Sequence, residues 1–193
     1  MGKTQAIAAV GQAMLGLLAD SVPRGEFPTA QFELYQLSNF KTPMEEGVSL
    51  YLYRITANTT RRNLPPTIGD DGRRYRPPIP LDLHYVVSAW AQTAIKQQRL
   101  LGWTIRTFED LSILPTNLLN HYGPEPDIFR ANETVEIVLD SLTLQDLNNL
   151  WGLTRDNPPL SVGYVARMIY IESTLALEEL AEVQTRELRL GKR

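Results

Sequence analysis

The segment from Pro77 to Trp90 constrains the fold more than any other part of the sequence. Its prolines exclude a helix before residue 81, because proline lacks a backbone donor and restricts the residue that precedes it. Apolar and polar residues then alternate with a period of two, which predicts a strand with one buried face. We expect the other, more polar face to meet water or another chain. The predicted buried face contains Leu81, Leu83, Tyr85, Val87 and Ala89, and the opposite face Asp82, His84, Val86, Ser88 and Trp90.

The composition excludes several kinds of functional site. The chain has 193 residues, enough for one domain that buries roughly two-thirds of its unfolded surface without disulfides or metals. Cysteine is absent, so disulfides, thiolate metal sites and cysteine nucleophiles are excluded. The two histidines are well separated in sequence, which disfavours a histidine metal site. The formal net charge of -3 argues against a dedicated nucleic-acid-binding protein.

The apolar stretch of residues 6–19 has two interpretations. Its position behind Lys3 resembles a signal peptide. However, Ile7, Val10 and Met14 recur at helical spacing, which favours an amphipathic helix that packs on the domain. No other run approaches the ~20 apolar residues of a membrane span. We therefore expect a soluble chain without direct membrane insertion.

Hydrophobic periodicity and turn residues predict an α/β fold of the α+β type, a mainly antiparallel sheet flanked by helices. We place one domain at residues 1–172 and a partly helical C-terminal tail at 173–193, in which acidic residues precede basic ones. Strands are predicted near residues 31–37, 47–58, 81–90, 133–139 and 160–172, and helices near 4–19, 94–109 and 143–152.

Residues 59–78 are predicted to form an arm, a β-hairpin that projects beyond the core with its tip near Gly69 to Gly72. The arm is basic, and it has three interpretations: a solvated loop, a nucleic-acid site or a protein interface. Tyr75 is its single aromatic residue, which disfavours stacking on nucleic-acid bases. Arginine is enriched in protein interfaces, because its planar fork pairs with carboxylates while its stem packs. The arginines are Arg61, Arg62, Arg73, Arg74 and Arg76.

Catalytic residues have weak support in the sequence. His84 lies beside Asp82 on a strand, but no nucleophile elbow or second histidine accompanies it. His121 lies in a proline-rich stretch that we predict to be irregular, near Glu125 and Asp127, where a metal would have one nitrogen ligand at most. We expect both histidines to be non-catalytic, with no cofactor or metal. The alternative function is a small-ligand-binding domain or an enzyme that uses the His84 and His121 region.

Several segments resemble a known family when they are taken in order. They are Val48 to Tyr53, Asn58, Arg62 with Asn63, Pro77 to Tyr85, Leu100 to Trp103, Leu150 with Trp151, and Leu160 to Tyr164. This set resembles the cap proteins of extracellular contractile injection systems, which include those of the Photorhabdus virulence cassette and the antifeeding prophage. The resemblance extends over residues 7–172. Some members of the family carry an additional C-terminal domain.

The resemblance implies a phage tail-terminator-like protein without catalytic activity. Such a protein forms a hexameric ring on the distal end of the inner tube, contacts the last sheath layer, and limits the length of both. It assembles in the bacterial cytoplasm and then becomes part of the injection particle. The expected partners are other copies of the chain, the tube protein and the sheath protein, but not nucleic acid. The expected interface residues are Arg61, Arg62, Asn63, Arg73, Arg74 and Arg76.

Overall fold

The computed structural model of the protein describes residues 3–61, 63–152 and 158–177. Each strand and helix predicted from periodicity has a counterpart in these residues. The helices are α1 (Ala6–Ser21), α2 (Ala94–Asp110), α3 (Thr116–Tyr122) and α4 (Leu144–Trp151). The strands are β1 (Gln31–Tyr35), β2 (Gly47–Ala57), β3 (Thr67–Ile68), β4 (Arg74–Tyr75), β5 (Ile79–Trp90), β6 (Ile113–Pro115), β7 (Thr134–Asp140) and β8 (Ser161–Ile171).

The strands form one large sheet and one small sheet. The large sheet has six strands in the order β1-β2-β5-β8-β7-β6, and β3 pairs with β4 in the small one. β1 runs parallel to β2, whereas the other pairs of the large sheet are antiparallel. The prediction of a mainly antiparallel sheet flanked by helices is confirmed. The strand that begins after Pro77 and Pro78, β5, lies between β2 and β8 and is therefore in the middle of the sheet.

The main core lies between one face of the large sheet and the helices α1, α2 and α3. Met14 of α1, Leu50 of β2 and Tyr85 of β5 are fully buried there. The ring of Phe108 on α2 meets the ring of Tyr164 on β8 edge to face, with 5.1 Å between the centroids. Full burial of side chains of this size contributes about 1.5–3 kcal/mol each. The predicted amphipathic helix at the N-terminal end is confirmed as α1, and no helix of the described residues is long and apolar enough to span a membrane.

The second face of the large sheet is also covered, so the prediction that β5 has one buried face is wrong. His84, Val86 and Ser88 on the supposedly open face are all buried. Phe40, in the 3-10 turn Leu37–Lys41, packs against the rings of Tyr35, Tyr51, Trp90 and, on α4, Trp151. The alternation along β5 cannot reveal this cover, because the covering residues come from distant parts of the sequence.

The polar side chains on the second face bond to one another across the strands. The Trp90 indole Nε1 donates a hydrogen bond to Ser49 Oγ over 2.8 Å, and the hydroxyls of Ser88 and Ser161 lie 3.0 Å apart. Because buried polar groups are costly when they lack partners, these pairings explain how polar residues are tolerated there. A polar residue on a strand therefore does not identify a solvent-exposed face in this protein.

Candidate protein interface on the arm

The arm contains the predicted hairpin, with two-residue strands. After β2 the chain makes a 3-10 turn at Thr59–Arg61, and further on β3 pairs with β4. At the tip, the Gly69 backbone N–H donates to the Arg73 carbonyl over 2.8 Å. Gly72 has φ of 76°, a conformation that residues with side chains rarely adopt. Of the glycines that predicted the turn, Gly72 is therefore required by its backbone geometry.

Asp71 fixes the tip through its carboxylate. Its oxygens accept hydrogen bonds from the Arg73 backbone N–H at 3.0 Å and from the Tyr75 hydroxyl at 2.7 Å. The bond from Tyr75 is the main reason that the pKa of Asp71 lies below its ordinary value, and the same bond raises the pKa of Tyr75. The Arg73 guanidinium also lies 3.8 Å from Asp71. Arg73 is thus partly engaged within the arm.

A third strand-like segment lies along β4. The Arg76 N–H donates to the Leu175 carbonyl over 3.1 Å, and the Leu177 N–H donates to the Arg74 carbonyl over 2.7 Å. Tyr75 is paired with Ala176 in antiparallel register. Residues 173–177 are therefore extended where they are described. The rest of the predicted partly helical tail, residues 178–193, lies outside the described residues.

The root of the arm is attached to the core sheet through Asp82 on β5. Its carboxylate accepts hydrogen bonds from Asn58 Nδ2, at 3.1 and 3.2 Å, and from the backbone N–H of Met168 at 3.0 Å. Met168 has φ of 62° and lies where the register between β5 and β8 shifts. A positive φ costs a residue with a side chain about 1–2 kcal/mol. One carboxylate therefore supports both a strained β-bulge and the first residues of the arm.

The structure separates the predicted interface residues into three groups. Arg74 and Arg76 are exposed on the same side of β4, because they are two residues apart. Arg73 is engaged at the tip. Arg61 and Asn63 are exposed at the root, where Arg61 lines a groove of about 480 Å³ together with residues of β7 and β8. Arg62 lies outside the described residues. The sequence interpretation placed Asp82 on the polar face of its strand without a structural role. It assigned residues 173–177 to the partly helical tail, whereas they are extended beside β4.

His84 is the buried member of a partly exposed polar network on the second face of the sheet. Its Nε2 lies 3.0 Å from Thr56 Oγ1, and its Nδ1 lies 3.3 Å from Arg54 Nη2 and 3.5 Å from Asp140 Oδ2. These contacts join β2, β5 and β7. Because each ring nitrogen has a neighbour on another strand, the arrangement serves to connect strands.

His121 lies on the other side of the sheet and therefore shares no site with His84. It lies in the last turn of α3, which packs on α1, and its exposed ring contacts Tyr122 with 4.6 Å between the centroids. The prediction of an irregular stretch here is wrong. Asn120 closes the helix onto the following loop by exchanging two hydrogen bonds with the Phe129 backbone. Among the described residues, no group of three or more His, Cys, Asp or Glu residues is arranged to hold a metal.

Comparison with known structures supports the tail-terminator-like fold. The chain superposes on the sheath/tube terminator of an extracellular contractile injection system, PVC, in its extended state, with a TM-score of 0.63 and 14% identity. It also superposes on the tube-terminating cap of the anti-feeding prophage, with a TM-score of 0.57 and 16% identity. The matches cover 97% and 94% of this chain but only 64% and 60% of those chains. The chain thus spans less than two-thirds of their length.

Sequence comparisons identify the family. No curated protein sequence matches the chain. The sequence model of the Pvc16 N-terminal domain matches residues 9–184, which is most of the chain. The resemblance inferred from the ordered segments is therefore confirmed, and the chain belongs to the Pvc16 N-terminal domain family.

Proposed function

We propose that this chain is a structural cap of a phage-tail-like contractile injection system. It closes the distal end of the inner tube, contacts the last sheath layer, and limits the length of both without a catalytic step. The observation that carries this proposal is the family match over residues 9–184. It is supported by the fold, which the chain shares over 97% of its residues with a sheath/tube terminator.

The geometry fits a protein that works by packing. Helices cover one face of the central sheet and aromatic residues cover the other, so the subunit has a rigid core on which surface features can be held in register. A cap of this kind is a ring, here a hexamer, whose sides are complementary under rotation and whose lower face matches the tube. The chain assembles in the bacterial cytoplasm and remains in the particle.

The arm is the part of this surface best suited to contact the partners. Its arginines pair with acidic groups of the tube protein, the sheath protein or the adjacent cap subunit, because arginine recognises carboxylates in a defined geometry. Residues 1–172 act as the cap domain and 173–193 as its tail. The residues proposed for these contacts remain Arg61, Arg62, Asn63, Arg73, Arg74 and Arg76.

The test is the length distribution of particles made with and without this chain. Electron microscopy of particles with the chain is expected to show a narrow length distribution and closed ends. Particles without it should show long or variable tubes with open ends, because nothing stops polymerisation. Restoring the wild-type chain should restore both features. Normal lengths and closed ends in its absence would contradict the proposal.

A charge-reversed arm tests the role of the arginines within the same assay. Reversing Arg61, Arg73, Arg74 and Arg76 to Glu is expected to give the same open-ended particles as the deletion, with an unchanged melting temperature of the purified chain. The control reverses Arg99 and Arg106, which lie exposed on α2 outside the arm and pair with Glu26 and Asp110. Closed particles of normal length with the reversed arm would show that these arginines are not contact residues.

A further inference from the structure

The arm is one part of a three-stranded unit that we call the arm ribbon: β3, β4 and residues 173–177. Thr67 is paired with Tyr75, and Tyr75 with Ala176, so these three residues point to one side. Ile68 is paired with Arg74, and the hydrogen bonds of β4 place Leu177 beside Arg74 and Leu175 beside Arg76. The ribbon therefore has two faces of different composition.

The inner face points towards the domain. Thr67 and Tyr75 line a hollow of about 310 Å³ whose other wall includes Arg130 and Glu172. The guanidinium of Arg130 and the carboxylate of Glu172 are 3.1 Å apart. The ribbon thus faces an ion pair of the domain with its smaller and more polar side. The opposite side must point outwards.

The outer face combines large aliphatic side chains with arginines. Ile68 is 65% exposed, Leu175 57% and Leu177 36%. Arg74 and Arg76 are exposed between them, and no acidic side chain of residues 3–61, 63–152 and 158–177 pairs with either. A contiguous exposed patch of aliphatic residues and arginine is typical of a protein-binding surface. It is not typical of an ordinary solvated hairpin.

Charge favours a second copy of the same chain as the occupant of this face. Residues 59–78 contain five arginines and two aspartates. Of 19 basic and 22 acidic residues in the chain, the remainder therefore has 14 basic and 20 acidic. Two copies repel as wholes, but the basic arm of one copy, which carries the ribbon, attracts the acidic remainder of the next. When identical subunits contact each other through two different surfaces, they form a ring if the rotation from one subunit to the next adds up to a full circle.

We propose that the outer face of the arm ribbon, formed by Ile68, Arg74, Arg76, Leu175 and Leu177, binds an acidic surface of a second copy of this chain. This inference rests on the proposed cap function, since it assigns the side-to-side contact of the ring. It differs from the sequence interpretation in two ways. It adds three aliphatic residues, and of the six predicted residues it keeps only Arg74 and Arg76, since Arg73 is bound to Asp71 at the tip and the others lie outside the ribbon.

Site-specific cross-linking in assembled particles identifies the occupant. The chain has no cysteine, so an Ile68→Cys variant carries a single photo-activated cross-linker on the outer face. The expected product has the mass of two copies of this chain, joined between residue 68 and a peptide rich in Asp or Glu. A product joined to the tube or sheath protein would overturn the inference. A product confined within one chain would overturn it as well.

Sedimentation of the purified full chain measures the contribution of the face. We expect self-association that weakens about tenfold in Arg74→Glu/Arg76→Glu and in Ile68→Ser/Leu175→Ser, because both doublets lie on the outer face. The matched controls are Arg99→Glu and Arg106→Glu on α2, made singly and together as the same kind of charge reversal outside the ribbon. These should change association less than about threefold. Equal losses in the controls, or a wild-type chain that stays monomeric, would refute the assignment.

The two proposals fail in different experiments. If particles are capped normally but the cross-linker at residue 68 never reaches a second copy, the cap function stands and the assignment of the ribbon is wrong. If copies join through the ribbon while particle length does not depend on this chain, the ribbon assignment stands and the cap function is wrong.

Discussion

Removal of the Asp82 carboxylate is the sharpest test of how the arm is attached to the core. Asp82→Ala deletes the acceptor shared by Asn58, the residue before the arm, and by the backbone N–H of Met168 in the β5–β8 bulge. The N–H of Met168 then has no partner at a position where φ of 62° already costs energy. We expect the variant to be less stable and its arm to be less firmly held.

The magnitude follows from the two donors that lose their acceptor. A hydrogen bond to a charged group contributes about 1.5–3 kcal/mol, and a half-buried donor such as Asn58 regains part of that from water. The expected loss in the free energy of unfolding is therefore about 2–3 kcal/mol. For a chain of this size that lowers the melting temperature by about 4–12 °C. Asp82→Asn retains one acceptor oxygen and should lose about half as much.

Urea denaturation and thermal melting, both followed by circular dichroism, measure this loss. The matched control is Asp110→Ala, which also replaces an aspartate by alanine but removes only an exposed pair with Arg106. It should cost less than about 1 kcal/mol. A loss for Asp82→Ala no larger than that of the control would refute the idea that this carboxylate supports the bulge. Amide exchange of residues 67–75 should increase in Asp82→Ala and remain unchanged in the control.

Three further predictions concern other parts of the fold. Gly47→Ala should cost at least about 3 kcal/mol, because φ is 151° and a Cβ would lie 2.0 Å from the Gln31 carbonyl oxygen; a melting temperature equal to that of the wild type would contradict this. Phe40→Ala should change the tryptophan fluorescence, because the ring contacts two tryptophans, and it should cost less than the roughly 3–5 kcal/mol of a fully buried Phe, because Phe40 is half-buried; unchanged emission would show that Phe40 does not cover the second face. The pKa of Asp71 is lowered, chiefly by the bond from Tyr75, so ionised Asp71 stabilises the tip above its unfolded pKa. That contribution should be lost as the pH falls through the folded pKa, seen as chemical-shift changes of the tip glycines in NMR spectra that disappear in Asp71→Asn.

The sequence predicted the elements of the fold well because most of them are specified locally. The prolines before β5, the period of two along it, and Thr93 at the start of α2 act through neighbouring residues. The Thr93 side chain accepts a hydrogen bond from the Lys96 backbone N–H at 3.3 Å, as expected of an N-cap. The covering of the second face could not be predicted in this way. It depends on the contact between Phe40 and Trp151 over this face of the sheet. These residues are far apart in sequence, so no local pattern predicts the contact.

The candidate interface was only partly predictable for the same reason. The number of arginines in residues 59–78 identifies the arm as basic, but it does not say which side chains share a face. Arg73 and Arg74 are adjacent in sequence and yet differ in role, because the former is engaged by Asp71 while the latter lies opposite Ile68. The register that decides this includes Leu175, about a hundred positions further along the chain. Composition indicates where the proposed surface lies, whereas the pairing of strands determines which side chains share a face.

Because the arm ribbon is assembled from segments far apart in the sequence, partner binding is also linked to the completion of folding. Its strands are two residues long, and a hairpin of that length is at best marginally stable without further pairing. The third segment follows directly after β8, which pairs with β5 around the bulge that Asp82 supports. Contacts between distant parts of a chain form late, because the loops between them must close first. The complete outer face, with Leu175 and Leu177, therefore forms only once β8 has joined the sheet, and we expect incompletely folded chains to associate less.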